Sequence, residues 1–234
     1  MIDQRDDVRS RRAMLKNGLA LAGTLAISGA ATAAERLTAR DLRPLTPPPS
    51  PFAARIPAAP VTSSRVVRPE LLTRALAAVQ RHGGRLAHRD RMAIVDFTAG
   101  SSKPRFHFVD LASGKSDSLL VAHGSGSDPA HTGYLTRFSN DFGSNASSEG
   151  AFVTRDYYVG KHGASQRLIG LDPTNDNALG RAIVIHSAWY ANKDILATRG
   201  VLGRSQGCFA VGEDDLDQVF ARLGVGRMIF AAKV

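Results

Sequence analysis

The chain has 234 residues, of which 30 are basic, 21 are acidic and one is a cysteine. A single thiol excludes an internal disulfide framework, and the net charge of +9 favours polyanionic partners. Nucleic acid is not predicted as that partner, because no basic run is interleaved with aromatic residues and no binding module is recognisable.

Residues 1–34 have the pattern of an export signal peptide. Basic residues between positions 9 and 16 precede a weakly apolar run that starts at Gly18, and the small residues ATAA close it. The run is too short and too rich in glycine and alanine to predict a spanning helix. The stretch SRRAMLK (10–16) is similar to a twin-arginine signal. We therefore expect export to the periplasm or cell envelope, by that route or the general one, with no membrane span left after cleavage.

Residues 35–68 contain seven of the eleven prolines. Such a segment favours an extended, semi-rigid linker and supplies no packed core. The remaining residues, 69–234, are enough for one domain with a hydrophobic core that needs no disulfides.

A helix is predicted over residues 69–82. Proline and glutamate occupy its first turn, and Gly83-Gly84 ends it. The spacing of Leu72, Leu76 and Val79 predicts that these three side chains share the buried face.

After this helix the hydrophobic period changes to that of short strands. These stretches are rich in β-branched and aromatic residues and are separated by Gly, Asp, Asn or Ser. Strands are predicted at 92–98, 105–111, 118–123, 151–159, 166–171, 181–186 and 227–232. A second helix is predicted at 213–223, with Leu216, Val219, Phe220 and Leu223 inward and Gly224 as its end. The pattern favours a mostly β domain, an antiparallel sandwich or barrel with a few short helices.

The only cysteine, Cys208, lies in the stretch GRSQGCFAV (203–211). A lone cysteine is often a small buried hydrophobic residue. In an exported protein, however, an unpaired thiol is either protected by burial or kept for its chemistry. Gly207 would let a backbone N–H approach a reacting carbonyl group closely, as an oxyanion hole requires.

A nucleophilic thiol needs a base, because only a few per cent of it is ionised near neutral pH. Of the seven histidines, His186 ends the apolar run AIVIH, so a buried strand would bring its imidazole to a sheet edge. The 22 positions between His186 and Cys208 allow the chain to return to that edge. The pairing of the two side chains is a hypothesis at this point.

The stretch IVIHSAWYANKDILATRGVLGRSQGCFAV resembles the catalytic segment of the murein L,D-transpeptidase catalytic domain family, whose members use a cysteine on peptidoglycan. Further similar blocks, in the same order, are AIVDFTAGSSKPRFHFVDLASGK, VAHGSGSD and FSNDFGSNASSEGAFVTRDYYVGKHGASQRLIGLDPTNDNA. The resemblance covers the chain from near Pro69 to its end.

This resemblance implies a β-rich catalytic domain that acts on peptidoglycan stem peptides without a cofactor. It implies that Cys208 is the nucleophile, that His186 is the base and that the Ser187 carbonyl orients the imidazole. The backbone N–H groups near Gly207 and Cys208 would stabilise the oxyanion. The sequence departs from the family pattern in three places, which leaves the acceptor open: Gln206 replaces a common histidine, Phe209 a frequent proline and Ser187 a frequent glycine.

Four further residues are candidates for substrate binding. Tyr158 and His162 stand beside glycines in YYVGKHGAS, where a polar turn is the alternative interpretation. Arg204 can clamp a carboxylate through two hydrogen bonds, and Ser205 lies next to it; the alternative is an ordinary surface arginine.

Other chemistries find less support in the sequence. VAHGSGSDPAH lacks the lysine of a phosphate-binding loop, and one cysteine with no H-E-x-x-H or C-x-x-C motif does not predict a metal site. A thiol redox protein would need a resolving cysteine. The sequence therefore predicts a peptidoglycan L,D-transpeptidase. An L,D-carboxypeptidase or a non-catalytic wall-binding module remains the alternative, and the oligomeric state is open.

Overall fold

The computed structural model describes residues 67–234. The predicted export signal and all but the last two residues of the predicted linker lie outside the described residues. Within this range, no helix combines the length and the apolar character that crossing a membrane requires.

Three helices and eight strands make up this part of the chain. In chain order they are α1 Pro69–His82, β1 Arg91–Asp96, β2 Phe106–Asp110, β3 Ser116–Leu119, β4 Gly150–Gly160, β5 Gly163–Gly170, β6 Val184–Ser187, α2 Lys193–Arg199, β7 Phe209–Val211, α3 Leu216–Leu223 and β8 Met228–Ala232. All the predicted elements are present, and α1 has its predicted bounds. The short elements α2 and β7 were not predicted, and β3 ends before the predicted 118–123 strand does.

The eight strands form one sheet in the order β3-β2-β1-β8-β4-β5-β6-β7. Neighbouring strands are antiparallel except for β1 with β8 and β6 with β7, which are parallel. The chain that follows β3 bridges to β7 at the opposite end of this order, where the Ala122 N–H donates to the Ala210 carbonyl at 2.8 Å. The predicted β-rich fold is confirmed, and the two ends of the sheet meet as in a barrel.

The central strands are buried on both faces. In β1, Ala93 and Val95 belong to the core enclosed by the sheet, whereas Met92 and Ile94 pack on the side of α1. Because neither face meets water, such strands appear in the sequence as unbroken apolar runs. Of the helices, α1 covers one face and α3 packs into the enclosed core.

The predicted face of α1 is confirmed only in part, because Leu72 and Val79 are partly buried and pack against the core, whereas Leu76 does not. Leu71, Ala75 and Ala78 are buried, whereas Leu76 is 41% exposed. The sheet beneath the helix already presents large side chains, Met92 and Phe230 among them, so the alanine face packs there. In the sequence, the leucines indicated the helix face more strongly than the alanines because they are the larger apolar residues.

The predicted inward face of α3 is confirmed. Its four apolar side chains, Leu216, Val219, Phe220 and Leu223, are all buried. The helix follows a 3₁₀ turn at Glu213–Asp215 and ends at Gly224, whose φ of 60° is left-handed. The Tyr157 ring of β4 packs edge-on against Phe220 at 4.8 Å between centroids, which fixes α3 against the sheet.

Candidate active site

The pairing of β6 with β7 brings the chain segments that carry His186 and Cys208 side by side. Ile185 pairs with Phe209, and both point into the enclosed core. Because strand side chains alternate, His186 points to the opposite face. Cys208 lies one residue before β7, and its Sγ contacts the Ala182 carbonyl oxygen just before β6. Extending the register by one residue puts Cys208 beside Val184, at about 8 Å between the Cα atoms of His186 and Cys208 for ordinary sheet spacings.

The imidazole of His186 is held by the backbone of the next residue. Its Nδ1 lies 2.8 Å from the Ser187 carbonyl oxygen. A carbonyl only accepts hydrogen bonds, so the proton is on Nδ1 and the lone pair is on Nε2. Burial of the ring, which is 1% exposed, lowers the pKa of His186 despite this hydrogen bond. The ring is therefore a neutral base at pH 7.

A second imidazole covers the first. His162, in the turn between β4 and β5, stacks on His186 with 4.3 Å between ring centroids and 19° between planes. His162 is exposed, and positive charge on it lowers the pKa of His186 further. The pair places one buried and one exposed imidazole at the same point of the sheet.

The thiol of Cys208 is nearly covered, with 9% of the residue exposed. Its Sγ lies 3.5 Å from the Ala182 carbonyl oxygen, to which the thiol donates. Burial raises the pKa of Cys208, while the Val184 N–H and the Arg181 charge act in the opposite direction. At rest Cys208 is therefore a protonated thiol, which would have to lose its proton to act as a nucleophile.

A tight turn precedes the thiol. Gly207 has a φ of 111°, and a Cβ atom there would lie 2.7 Å from the Ala146 carbonyl oxygen. The buried Ser205 hydroxyl fills the turn: it accepts the Gly207 N–H at 3.1 Å and donates to the Cys208 carbonyl at 2.7 Å. Ser205, predicted to bind substrate, thus faces inward, and the Gly207 N–H has a partner at rest.

Tyr158 shares the site face with His186. Tyr158 pairs with Ser165 of β5, and Ser165 pairs with His186, so side chains in this row point the same way. The Arg167 guanidinium lies 4.1 Å from the centre of the Tyr158 ring. The Arg167 side chain is half-exposed and forms an ion pair with Asp156 at 3.2 Å. Its positive charge lies on the same face.

The Arg204 side chain is hydrogen-bonded to backbone carbonyl groups. Its Nη1 donates to the Asp128 and Pro129 carbonyl groups. Arg204 therefore joins the segment before Cys208 to a neighbouring loop, and this nitrogen is not directed at the thiol.

The sequence analysis missed two side chains beside the thiol, Arg181 and Tyr190. The Tyr190 ring lies against Gly203, and burial together with the proximity of Cys208 raises the pKa of this phenol to about 12. It is therefore a neutral hydrogen-bond donor at pH 7. Arg181 begins the predicted strand 181–186 and Tyr190 lies in the stretch that resembles the family's catalytic segment, but neither position by itself predicted a contact with the thiol segment.

A loop of residues 139–148, called here the 139–148 loop, forms one wall of the site. A Cβ atom at Gly124 would lie 2.3 Å from Asn145 O, and one at Gly126 would lie 1.9 Å from Ser144 O. Because they have no side chain, the glycines of VAHGSGSD leave room for the backbone of this loop. Among residues 67–234, no group of three or more His, Cys, Asp or Glu side chains is arranged to hold a metal ion.

The fold and this site agree with a match to a known class of enzymes. Residues 63–232 match the L,D-transpeptidase catalytic domain family, and the chain belongs to that family. No curated protein matches it by sequence.

Solved structures similar to this chain are themselves L,D-transpeptidases. One from Mycobacterium smegmatis is 12% identical over 61% of this chain and 58% of its own, with a TM-score of 0.37. One from Mycobacterium tuberculosis H37Rv is 11% identical over 61% and 57%, with a TM-score of 0.38. Mycobacterium tuberculosis L,D-transpeptidase 1 is 12% identical over 60% of each chain, with a TM-score of 0.34. The chain thus spans about three fifths of the length of these proteins.

Proposed function

We propose that the protein is an exported, cysteine-dependent L,D-transpeptidase that acts on peptidoglycan stem peptides. One observation supports the assignment: in a chain of this family, a buried imidazole in β6 lies next to the segment that carries the only thiol, directly before the paired strand β7. The imidazole is held by the Ser187 carbonyl with Nε2 free to accept a proton. An imidazole oriented in this way suits the role of general base for a neighbouring thiol.

In the donor step, Cys208 attacks the carbonyl carbon of the bond between the L-centre of diaminopimelate and the terminal D-alanine. His186 Nε2 takes the thiol proton as the sulfur–carbon bond forms, and then gives it to the departing D-alanine amine. The product is a thioester on Cys208. An amine of a neighbouring stem then attacks the thioester, losing its proton to His186 and restoring the thiol.

Backbone N–H groups near Gly207 and Cys208 stabilise the tetrahedral oxyanion. Because the Gly207 N–H is bonded to Ser205 Oγ at rest, its use requires the serine hydroxyl to release it. The neutral Tyr190 phenol is a further donor on this side of the thiol.

The cleft face suits an anionic peptide. Tyr158 and His162 border the reacting pair, and Arg167 adds a cation to the same face. Stem peptides carry free carboxylates, which guanidinium and imidazolium groups bind through charge-assisted hydrogen bonds.

Intact-mass spectrometry of the full chain tests the assignment, after incubation with a carbapenem or with a purified tetrapeptide stem. We expect one adduct on the wild-type protein and none on Cys208→Ala. His186→Gln should slow acylation by about 10²- to 10⁴-fold, the usual contribution of a general base. His88→Gln, at an exposed histidine of the chain, should acylate at the wild-type rate.

The products distinguish the rival functions. Crosslinked dimers identify a transpeptidase, whereas trimmed monomers alone identify an L,D-carboxypeptidase. A wall-binding module would sediment with sacculi even after thiol alkylation and would form no adduct. Release of D-alanine by Cys208→Ala would overturn the assignment of the nucleophile.

A further inference from the structure

Arg181 is a cation held only by neutral oxygen atoms. Its Nη1 donates to Ser139 O at 2.7 Å and Ser148 Oγ at 2.6 Å; its Nη2 donates to Ser144 Oγ at 3.1 Å and Ala146 O at 2.6 Å. None of the ion pairs found among residues 67–234 includes Arg181. Burial lowers the pKa of this guanidinium, yet an arginine keeps its charge at neutral pH.

This cation lies next to the nucleophile. A Cβ atom at Gly207 would lie 3.2 Å from Arg181 Nη2, so the guanidinium head is beside the residue that precedes Cys208. In the chain, Arg181 also precedes Ala182, whose carbonyl oxygen accepts a hydrogen bond from the Cys208 thiol. Its charge favours ionised sulfur, and ionised sulfur in turn favours the charged guanidinium.

All four terminal N–H groups of Arg181 have acceptors in the 139–148 loop. The side chain therefore has no free pair of N–H groups with which to clamp a substrate carboxylate. It acts on the site through its charge and through the loop that it holds.

We propose that Arg181 is a positioning residue that holds the 139–148 loop against the Gly207 turn and supplies the fixed positive charge that stabilises the Cys208 thiolate. The proposal rests on the proposed function, in which that thiolate forms during acylation. The charge offsets part of the desolvation that the sulfur meets at this buried position.

Two other titratable groups near the sulfur are neutral at rest and do not supply this charge. His186 from β6 is neutral, and Tyr190 from the turn before α2 is also neutral. His162 reaches the site through its stack on His186, and Asp141 acts on Arg181 from the loop.

The test measures the thiol itself in the full-length protein. The rate of iodoacetamide alkylation of Cys208 is followed against pH, for wild type, Arg181→Gln and Arg181→Lys. We expect Arg181→Gln to alkylate about tenfold more slowly at pH 7.5, the change produced by a pKa higher by one unit. Arg181→Lys keeps the charge and should recover most of the rate.

Arg137→Gln is the matched control, because Arg137 is exposed, precedes the loop by two residues and carries the same charge. It should leave the alkylation profile unchanged. Equal losses in Arg181→Gln and Arg181→Lys would show a structural role only, and an unchanged profile in Arg181→Gln would overturn the proposal. Should Arg181→Gln fail to fold, a shifted profile in a folded Arg181→Lys would equally count against it.

Failure of this inference is distinguishable from failure of the proposed function. A wild-type protein that forms no thioester refutes the function, yet its thiol titration is still measurable. A protein that acylates normally while Arg181→Gln titrates like wild type refutes only the role of Arg181.

Discussion

At the scale of single residues, glycines decide how closely backbone segments approach the Cys208 thiol. Gly124, Gly126 and Gly207 each leave no space for a Cβ atom beside the 139–148 loop. Gly207 carries a second constraint, because its φ of 111° is a conformation that other residues rarely adopt. Crowding and backbone strain thus meet at the position just before the thiol.

Gly207→Ala should therefore displace the loop as well as strain the turn. We expect a loss of about 2–4 kcal/mol in the free energy of unfolding, from strain of about 1–3 kcal/mol plus the clash with Ala146 O. Carbapenem acylation should slow at least tenfold. Urea unfolding and intact-mass kinetics measure the two effects.

Gly143→Ala is the control for strain alone, since Gly143 has a φ of 74° and nothing within 4 Å of a Cβ atom. It should cost about 1 kcal/mol and leave acylation unchanged. If both variants behave alike, crowding at Gly207 has no part in the effect.

How much of the site the sequence predicts depends on how local the signal is. Cys208 and His186 are predictable because one is the sole thiol and the other ends an apolar strand. That their segments are neighbours follows only from the parallel pairing of β6 with β7. Arg181 is not predictable, since its contacts are with residues 33 to 42 positions earlier in the chain.

At the scale of elements, the longer strands and the face of α3 are predicted better than the short strand β7 and the buried face of α1. β7 has only three residues, too few for a periodic pattern, and the bridge at Ala122 replaces the predicted end of β3. For α1, the sheet surface selects the small residues of the helix over its leucine stripe. Helix face is a property of the partner surface as much as of the helix.

The α1 interface gives a paired test of that correction. Leu71→Ala should lower the free energy of unfolding by about 2–5 kcal/mol, because a fully buried leucine leaves a cavity. Leu76→Ala, at an exposed position of the same helix, should change it by no more than about 1 kcal/mol. Equal losses in urea unfolding would mean that Leu76 is buried after all.

At the scale of the whole molecule, a buried network of polar side chains connects the core to the segment that carries Cys208. Arg105 Nη2 donates to His123 Nδ1 at 2.7 Å, and His123 Nε2 then donates to Asp128 at 3.3 Å. The His123 carbonyl in turn accepts the Ser205 N–H at 2.9 Å. The stretch VAHGSGSDPAH, which does not predict a phosphate-binding loop, therefore contributes to a structural network.

This network makes stability depend on pH. Burial, reinforced by the Arg105 charge, lowers the pKa of His123 to about 4, whereas an unfolded histidine titrates near 6.5. Between these values the unfolded chain binds the extra proton, so the free energy of unfolding falls as pH falls from 6.5 towards 4. The loss attributable to His123 is about 3 kcal/mol, and burial of His107 and His186 acts in the same direction.

Urea unfolding at pH 7.0 and pH 4.5 measures this loss of stability. His123→Gln should be less stable at pH 7.0 and show a flatter pH dependence, while His88→Gln should keep the wild-type slope. A wild-type slope in His123→Gln would mean that the buried histidine is not the group that responds to acid.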